Sequence, residues 1–254
     1  MTGSAVRLSA GDAERDRLIR GRMVLMIGDE PVELELVVPD GPITVEETLP
    51  ILQGLANLFV DRGVAVAEAA GRTISCRAGC GACCRQIVPI SASEARALAR
   101  LVDEMAEPRR SAVRERFEAA LSTLDAGGLL ATIDRVREEA ADDAGTLGMD
   151  YFHAGIACPF LEDESCSIHP DRPLACRQYL VTSPPGNCKS PAAETIEMVA
   201  LSGRPSRALA VAERSATGIG WMPLVYAIRF ADRTPAPPPT RTAADILRDV
   251  MGRL

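Results

Sequence analysis

The stretch "SCRAGCGACCRQ", Ser75 to Gln86, holds four of the chain's eight cysteines: Cys76, Cys80, Cys83 and Cys84. Gly79, Gly81 and Ala82 separate the thiols, and Arg77 and Arg85 flank them. This is the composition of a loop that bends tightly. Three readings follow: buried core thiols, disulfides, or metal ligands. Thiolates two to four residues apart converge on one zinc ion or one iron–sulfur cluster. Small residues let the backbone curl around a metal, and the arginines offset thiolate charge. Metal ligation is the preferred reading.

The adjacent pair adds a constraint. Neighbouring side chains diverge by about 100° on a helix and point to opposite faces of a strand. Cys83 and Cys84 therefore do not readily share one mononuclear ion. They suit two neighbouring metals, a multinuclear cluster, or one ligand beside one free thiol. This tilts the choice between an iron–sulfur cluster and zinc slightly toward iron.

The remaining cysteines are Cys158, Cys166, Cys176 and Cys188, in "CPFLEDESCSIHPDRPLACRQYLVTSPPGNC". All eight lie between Cys76 and Cys188, so they are not a scatter of structural thiols. Eight cysteines permit two sites of four thiolates each. His169 stands three residues after Cys166, but a turn histidine is the preferred reading. His153, with apolar neighbours, reads as core or pocket lining. The acidic "LEDES" reads as a solvated turn. Arg172 and Arg177 read as braces that hydrogen-bond around the site.

Further out, the chain of 254 residues is long enough to bury a sizeable core. Aromatic content of 4% leaves that core to Ala, Leu, Val and Ile, which favours helices. A net charge of −7 argues against a broad nucleic-acid surface. The N-terminus has no apolar signal segment and no run spans a membrane, so a cytoplasmic location is expected, with thiols kept reduced. The expected partners exclude nucleic acid and membrane. A protein partner and the oligomeric state stay open.

Residues 1–20 read as a flexible tail. Alternation of Val32, Leu34 and Leu36 with Glu33 and Glu35 predicts a β-hairpin over about 22–27 and 32–38. Thr44 and Glu47 form a capping-box pattern before a helix that ends at Gly71, with Gly63 a candidate break. Residues 21–73 form one unit. Residues 74–190 form a cysteine-cluster domain with a helical insert at 91–145. Within the insert, Ser91 or Ser93 caps a helix to Met105, and helices over 109–125 and 129–141 follow. Cys158 and Cys166 flank a tight hairpin, and Asp171 caps a short helix carrying Cys176. Residues 191–254 form a C-terminal segment. It holds a helix over about 193–215 interrupted near Gly203-Arg204-Pro205, a strand at "PLVYAIRF", a Pro-rich linker at 235–239 and a terminal amphipathic helix. The fold class is α+β and predominantly helical. A small N-terminal hairpin accompanies irregular cysteine-rich metal-binding loops held between helices.

Over residues 74–190 the chain resembles the CxxCxxCC cysteine-cluster family, the YkgJ-like proteins, described as zinc- or iron-chelating. The resemblance rests on "CGACC" at 80–84, "VPISASEARALA", "CPFL" at 158–161, "CSIHPDRPLACR" at 166–177 and Tyr179. The first spacing is x3 where the family usually has x2, and His169 stands where the family often has Tyr. The resemblance implies metal chelation through Cys76, Cys80, Cys83, Cys84, Cys158, Cys166 and Cys176, with Cys188 at the pattern's edge. A distant resemblance to flagellin lysine-N-methylase keeps an iron–sulfur- or metal-dependent modifying enzyme as the alternative, for example one with protein lysine methyltransferase-like activity. A structural zinc module for protein–protein interaction is the second alternative. The Cys76-x3-Cys80-x2-Cys83 spacing is also that of radical S-adenosylmethionine enzymes. The chain lacks the repeated strand–helix units that their barrel needs.

Overall fold

Alternation along Val32–Leu36 produces the N-terminal sheet. The computed structural model describes residues 5–11, 17–139, 144–192 and 194–254. In it, β1 (Val6–Ser9), β2 (Leu18–Ile27) and β3 (Glu30–Pro39) form a sheet of order β1-β3-β2. β2 and β3 are the expected hairpin, paired antiparallel across the two-residue turn Gly28-Asp29. Met23 opposite Leu34 and Leu25 opposite Val32 share the face that joins the core.

The expected tail of residues 1–20 contains a strand instead. β1 pairs parallel to β3, and Arg7 bonds Glu35 at 2.7 Å. Four residues are too few for periodicity to reveal, and the partner strand lies well downstream. Residues 1–4 and 12–16 lie outside the described residues.

β4 (Pro42–Ile43) leads into α1 (Leu49–Ala69), the helix that covers the sheet. The Glu47 carboxylate accepts from the backbone N–H and the hydroxyl of Thr44, both at 2.7 Å, which is half of a capping box. Gly63 does not break α1. A Cβ there would stand 2.8 Å from the Ala200 carbonyl and 2.7 Å from Leu201, so the glycine admits a crossing segment.

β5 (Pro89–Ser91) ends at the N-cap of α2 (Ala92–Asp103), where Ser91 and Glu94 form a complete capping box. α3 (Arg109–Ala126) and α4 (Leu129–Glu139) follow, split at Gly127-Gly128 as the sequence predicts. Residues 140 and 141 of the expected helix lie outside the described residues. α5 (Ala144–His153) completes this helical layer. Val102, Phe117, Leu121, Leu124, Ile133 and Tyr151 build its core.

Between Phe160 and Gln178 come β6 (Leu161–Glu162), β7 (Ser165–Cys166) and the short α6 (Leu174–Arg177). The β6–β7 turn carries positive φ at Asp163 (49°) and Glu164 (58°), the type I′ pattern of two-residue hairpins. The expected cap from Asp171 is not made. Asp171 belongs to a 3-10 turn, and Glu94 of α2 caps α6 instead, accepting from the Leu174 N–H at 2.8 Å.

The expected helix over 193–215 begins only at Pro205. Residue 193 lies outside the described residues. Thr182 N–H donates to the Glu197 carbonyl and Val199 N–H to the Leu180 carbonyl, both at 2.9 Å, which keeps the stretch around 197–199 extended. α7 (Pro205–Thr217) follows, then β8 (Trp221–Pro223), which pairs with β5. The expected strand at "PLVYAIRF" is mostly helical: a 3-10 turn over Leu224–Tyr226 passes into α8 (Ala227–Arg233). A short apolar run has no period that separates strand from buried helix, and packing on α2 decides for helix. β9 (Arg241–Thr242) pairs with β4, and α9 (Ala243–Met251) buries Ile246, Leu247 and Val250 against the sheet-side core. The chain is α+β and predominantly helical.

Candidate metal centre

The two cysteine regions meet. Cys158 N–H donates to the Cys84 carbonyl at 2.7 Å. Gly81 makes the approach fit: a Cβ there would stand 2.7 Å from Leu161 Cδ1 and 2.9 Å from Glu164 Oε2. Arg85 secures the contact with two bonds to the Glu164 carboxylate. The acidic turn is therefore a docking arm, and its Glu162 pairs with Arg116 at 2.8 Å.

Several parts of the fold hold the thiols. Cys76 Sγ accepts from the Val181 N–H at 3.4 Å, and Ser75 N–H donates to the Val181 carbonyl at 2.9 Å. Cys83 and Cys84 lie on the 3-10 turn Ala82–Arg85. Cys188 is buried in the turn Pro185–Lys189, in a small apolar cluster with Ala82 and Val181 against which Cys80 packs. Cys158 and Cys166 pack on the helical core. Cys176 rides on α6, whose Leu174 is rooted in the sheet-side core.

Burial and mutual repulsion favour the protonated form of six of these thiols. Burial pushes Cys158 up to about 12 and Cys176 well above the usual thiol range. A hydrogen bond with Cys84, then burial, pushes Cys83 up as well. Burial raises Cys76, Cys166 and Cys188. The repulsions sort the thiols into two groups. Cys188 is raised further by Cys76, Cys83 and Cys80, whereas Cys176 is raised further by Cys158, Cys83 and Cys166. Cys83 belongs to both neighbourhoods.

Among the described residues, no group of three or more His, Cys, Asp or Glu side chains stands close enough to hold an ion as it lies. Neutral thiols have no electrostatic reason to converge. A thiophilic cation supplies one by displacing their protons. Seven of the eight cysteines keep some surface, and thiols are soft donors, so the set fits zinc or iron and not a hard cation.

The two histidines make contacts of their own. His169 Nε2 meets the Arg172 guanidinium, whose charge lowers the imidazole pKa. His153 is exposed and edge-on to Phe152 at 5.9 Å, not core or pocket lining as expected. Arg177 braces the loop: it donates to the carbonyls of Arg172 at 3.0 Å and Pro170, and to Asn57 at 3.4 Å.

Two buried glutamates near the site escaped the sequence reading. Glu94 accepts from Ser91 N–H at 2.9 Å and from Leu174 N–H, so one carboxylate ties the starts of α2 and α6. Glu213 of α7 accepts from Ala92 N–H at 2.8 Å. The Ser91-x-x-Glu94 pattern exposes the first role, but nothing local exposes the contact with Leu174.

A family model described as "CxxCxxCC: Putative zinc- or iron-chelating domain" matches residues 75–198, a span that includes all eight cysteines. No curated protein and no solved structure matches the chain. Among the described residues, no helix is long and apolar enough to cross a membrane.

Proposed function

We propose, from the premise that residues 75–198 carry a CxxCxxCC domain, that the chain binds zinc or iron through two neighbouring thiolate sites. One site draws on Cys76, Cys80 and Cys188, and the other on Cys158, Cys166 and Cys176. Cys83 and Cys84 each complete one of them. The carrying observation is geometric: Cys80 packs on the cluster that buries Cys188, Cys158 and Cys166 both pack on the helical core, and the bond from Cys158 N–H to the Cys84 carbonyl brings the two cysteine segments together. A bound metal would supply the cation that stabilises four thiolates in one place.

A site with four thiolates leaves no open coordination position, so this reading makes the metal structural, stored or electron-carrying. Divergent side chains at positions 83 and 84 serve two centres better than one. The sheet-side core and the helical core each anchor part of the donor set, so metal binding would lock the two together.

Anaerobic purification followed by metal analysis and visible spectroscopy tests this. Two zinc ions in a colourless protein, or stoichiometric iron with broad visible absorption, is the expected result. A chain with no bound metal, whether purified with or without air, or full metal content kept by all eight single Cys→Ser variants, would overturn it.

A further inference from the structure

Among the described residues, four buried side-chain polar atoms have no hydrogen-bond partner: Gln86 Nε2, Arg172 Nε, Gln178 Nε2 and the Tyr226 hydroxyl. The first three share two properties. Each is an N–H donor without a well-formed hydrogen bond, Gln86 Nε2 having only the Tyr179 hydroxyl beside it, and each lies in a cysteine segment. Gln86 follows Cys84 by two residues, Gln178 follows Cys176 by two, and Arg172 lies between Cys166 and Cys176. Native proteins leave few such donors, because each costs about 1–3 kcal/mol in lost hydration.

The orphaned atoms are not free to turn away. Gln178 is only 1% exposed, and its Oε1 accepts from the Ser206 N–H at 3.3 Å, which fixes which end of the amide is the orphan. Arg172 Nη1 is engaged by His169, leaving Nε behind. Among the described residues no carboxylate pairs with Arg172, whereas Arg85 is paired with Glu164, Arg116 with Glu162, and Arg177 is bonded to carbonyls.

We propose that Gln86, Arg172 and Gln178 are positioning residues that donate N–H···S hydrogen bonds to metal-bound thiolate sulfur. Thiolate sulfur in a metal site is an acceptor with spare lone pairs, and donors around it fix ligand orientation and draw charge off sulfur. The same sulfur, as a neutral thiol, is only a weak acceptor. The donors are therefore unsatisfied without metal and satisfied with it. His169 holds Arg172 in place for this task. The inference rests on the thiolate-site reading above.

Cobalt(II) is the probe, because its thiolate charge-transfer band reports electron density on sulfur. The variants are Gln86→Met, Arg172→Met and Gln178→Met, with Arg172→Lys as the conservative comparison. Each Met variant is expected to move the band to longer wavelength. Each should weaken cobalt retention against a competing chelator about tenfold or more. Arg172→Lys should recover part of both effects. Melting of the metal-free Gln86→Met and Arg172→Met proteins should stay unchanged or rise, because each substitution removes an unsatisfied donor; Gln178→Met also removes the acceptor of Ser206 N–H, so its metal-free melting should fall, but by less than its metal-loaded melting. A wild-type chain that takes up cobalt while the variants match it in band and retention overturns this proposal alone. Metal-free melting that falls as far as metal-loaded melting also overturns it, by making the role structural. A wild-type chain that takes up no cobalt overturns the thiolate sites themselves, and this inference with them.

Discussion

At the scale of single residues, the decisive pair is Cys83 and Cys84. They sit on one 3-10 turn, and the Cys84 carbonyl takes the Cys158 N–H that joins the two cysteine segments. Cys83→Ser and Cys84→Ser are each expected to cut metal content from two ions to one. The retained centres should differ, which cobalt spectra of the two variants would reveal. Identical spectra on a single ion would remove the two-centre account. Glu213 makes a separate prediction. Burial lifts its carboxyl from 4.5 to about 7. Between those values the folded chain keeps a proton that the unfolded chain has lost, so stability falls as pH rises through that window. The loss amounts to about 3 kcal/mol and is complete above about pH 7. Glu213→Gln keeps an acceptor for Ala92 N–H and should flatten that slope in denaturation measured from pH 4 to 8. The sequence displayed the thiols because their spacing is local. It hid Glu213, Gln86 and Gln178, because an ordinary surface residue type becomes special only through burial, which the fold decides.

At the scale of elements, the hairpins and the helices with strong periodicity were legible in advance: β2–β3, α2, and the α3–α4 pair split by glycines. The errors share a cause. β1, the extended stretch around 197–199 and α8 are each set by a partner distant in sequence, and their own residues carry too little pattern to announce it. The β6–β7 arm shows how such contacts position the site. It uses two left-handed residues, Asp163 and Glu164, and neither is glycine. Such backbone costs energy and persists where its surroundings hold it. Arg85 on the Glu164 carboxylate and Gly81 under the Glu164 carbonyl do so. Gly81→Val should force the arm away, costing about 1–3 kcal/mol by overpacking. Metal retention should fall most at the centre built on Cys158 and Cys166. Glu94→Ala should cost about 2–4 kcal/mol, because it leaves the Ser91 and Leu174 N–H groups without their acceptor. Chemical denaturation of the metal-free variant measures this.

At the scale of the molecule, the two large apolar clusters meet at the cysteine loops. The sheet-side cluster gathers β3, α1, α7 and α9, and the other gathers α2 to α5 with α8. Ligands rooted in both make metal a cross-link between layers. Stripping metal with a chelator should lower the melting temperature by about 10 °C, given about 4 kcal/mol of binding linkage at a thousandfold excess over Kd and 2–4 °C per kcal/mol at this size. Equal melting before and after stripping would mean the cores already hold each other.

The separation of the two thiol groups along the chain also has a consequence for biosynthesis. Ribosomes extend a chain at about 5–20 residues per second. Cys76 to Cys84 therefore emerge seconds before Cys158, and longer still before Cys188. During that interval the seat at Gly81 has no hairpin to receive, and four reduced sulfurs stand in the open with half a donor set. Metal delivered then would meet an incomplete nest. The order of events that the fold favours is complete synthesis first, closure of the acidic arm on Arg85 next, and metal last.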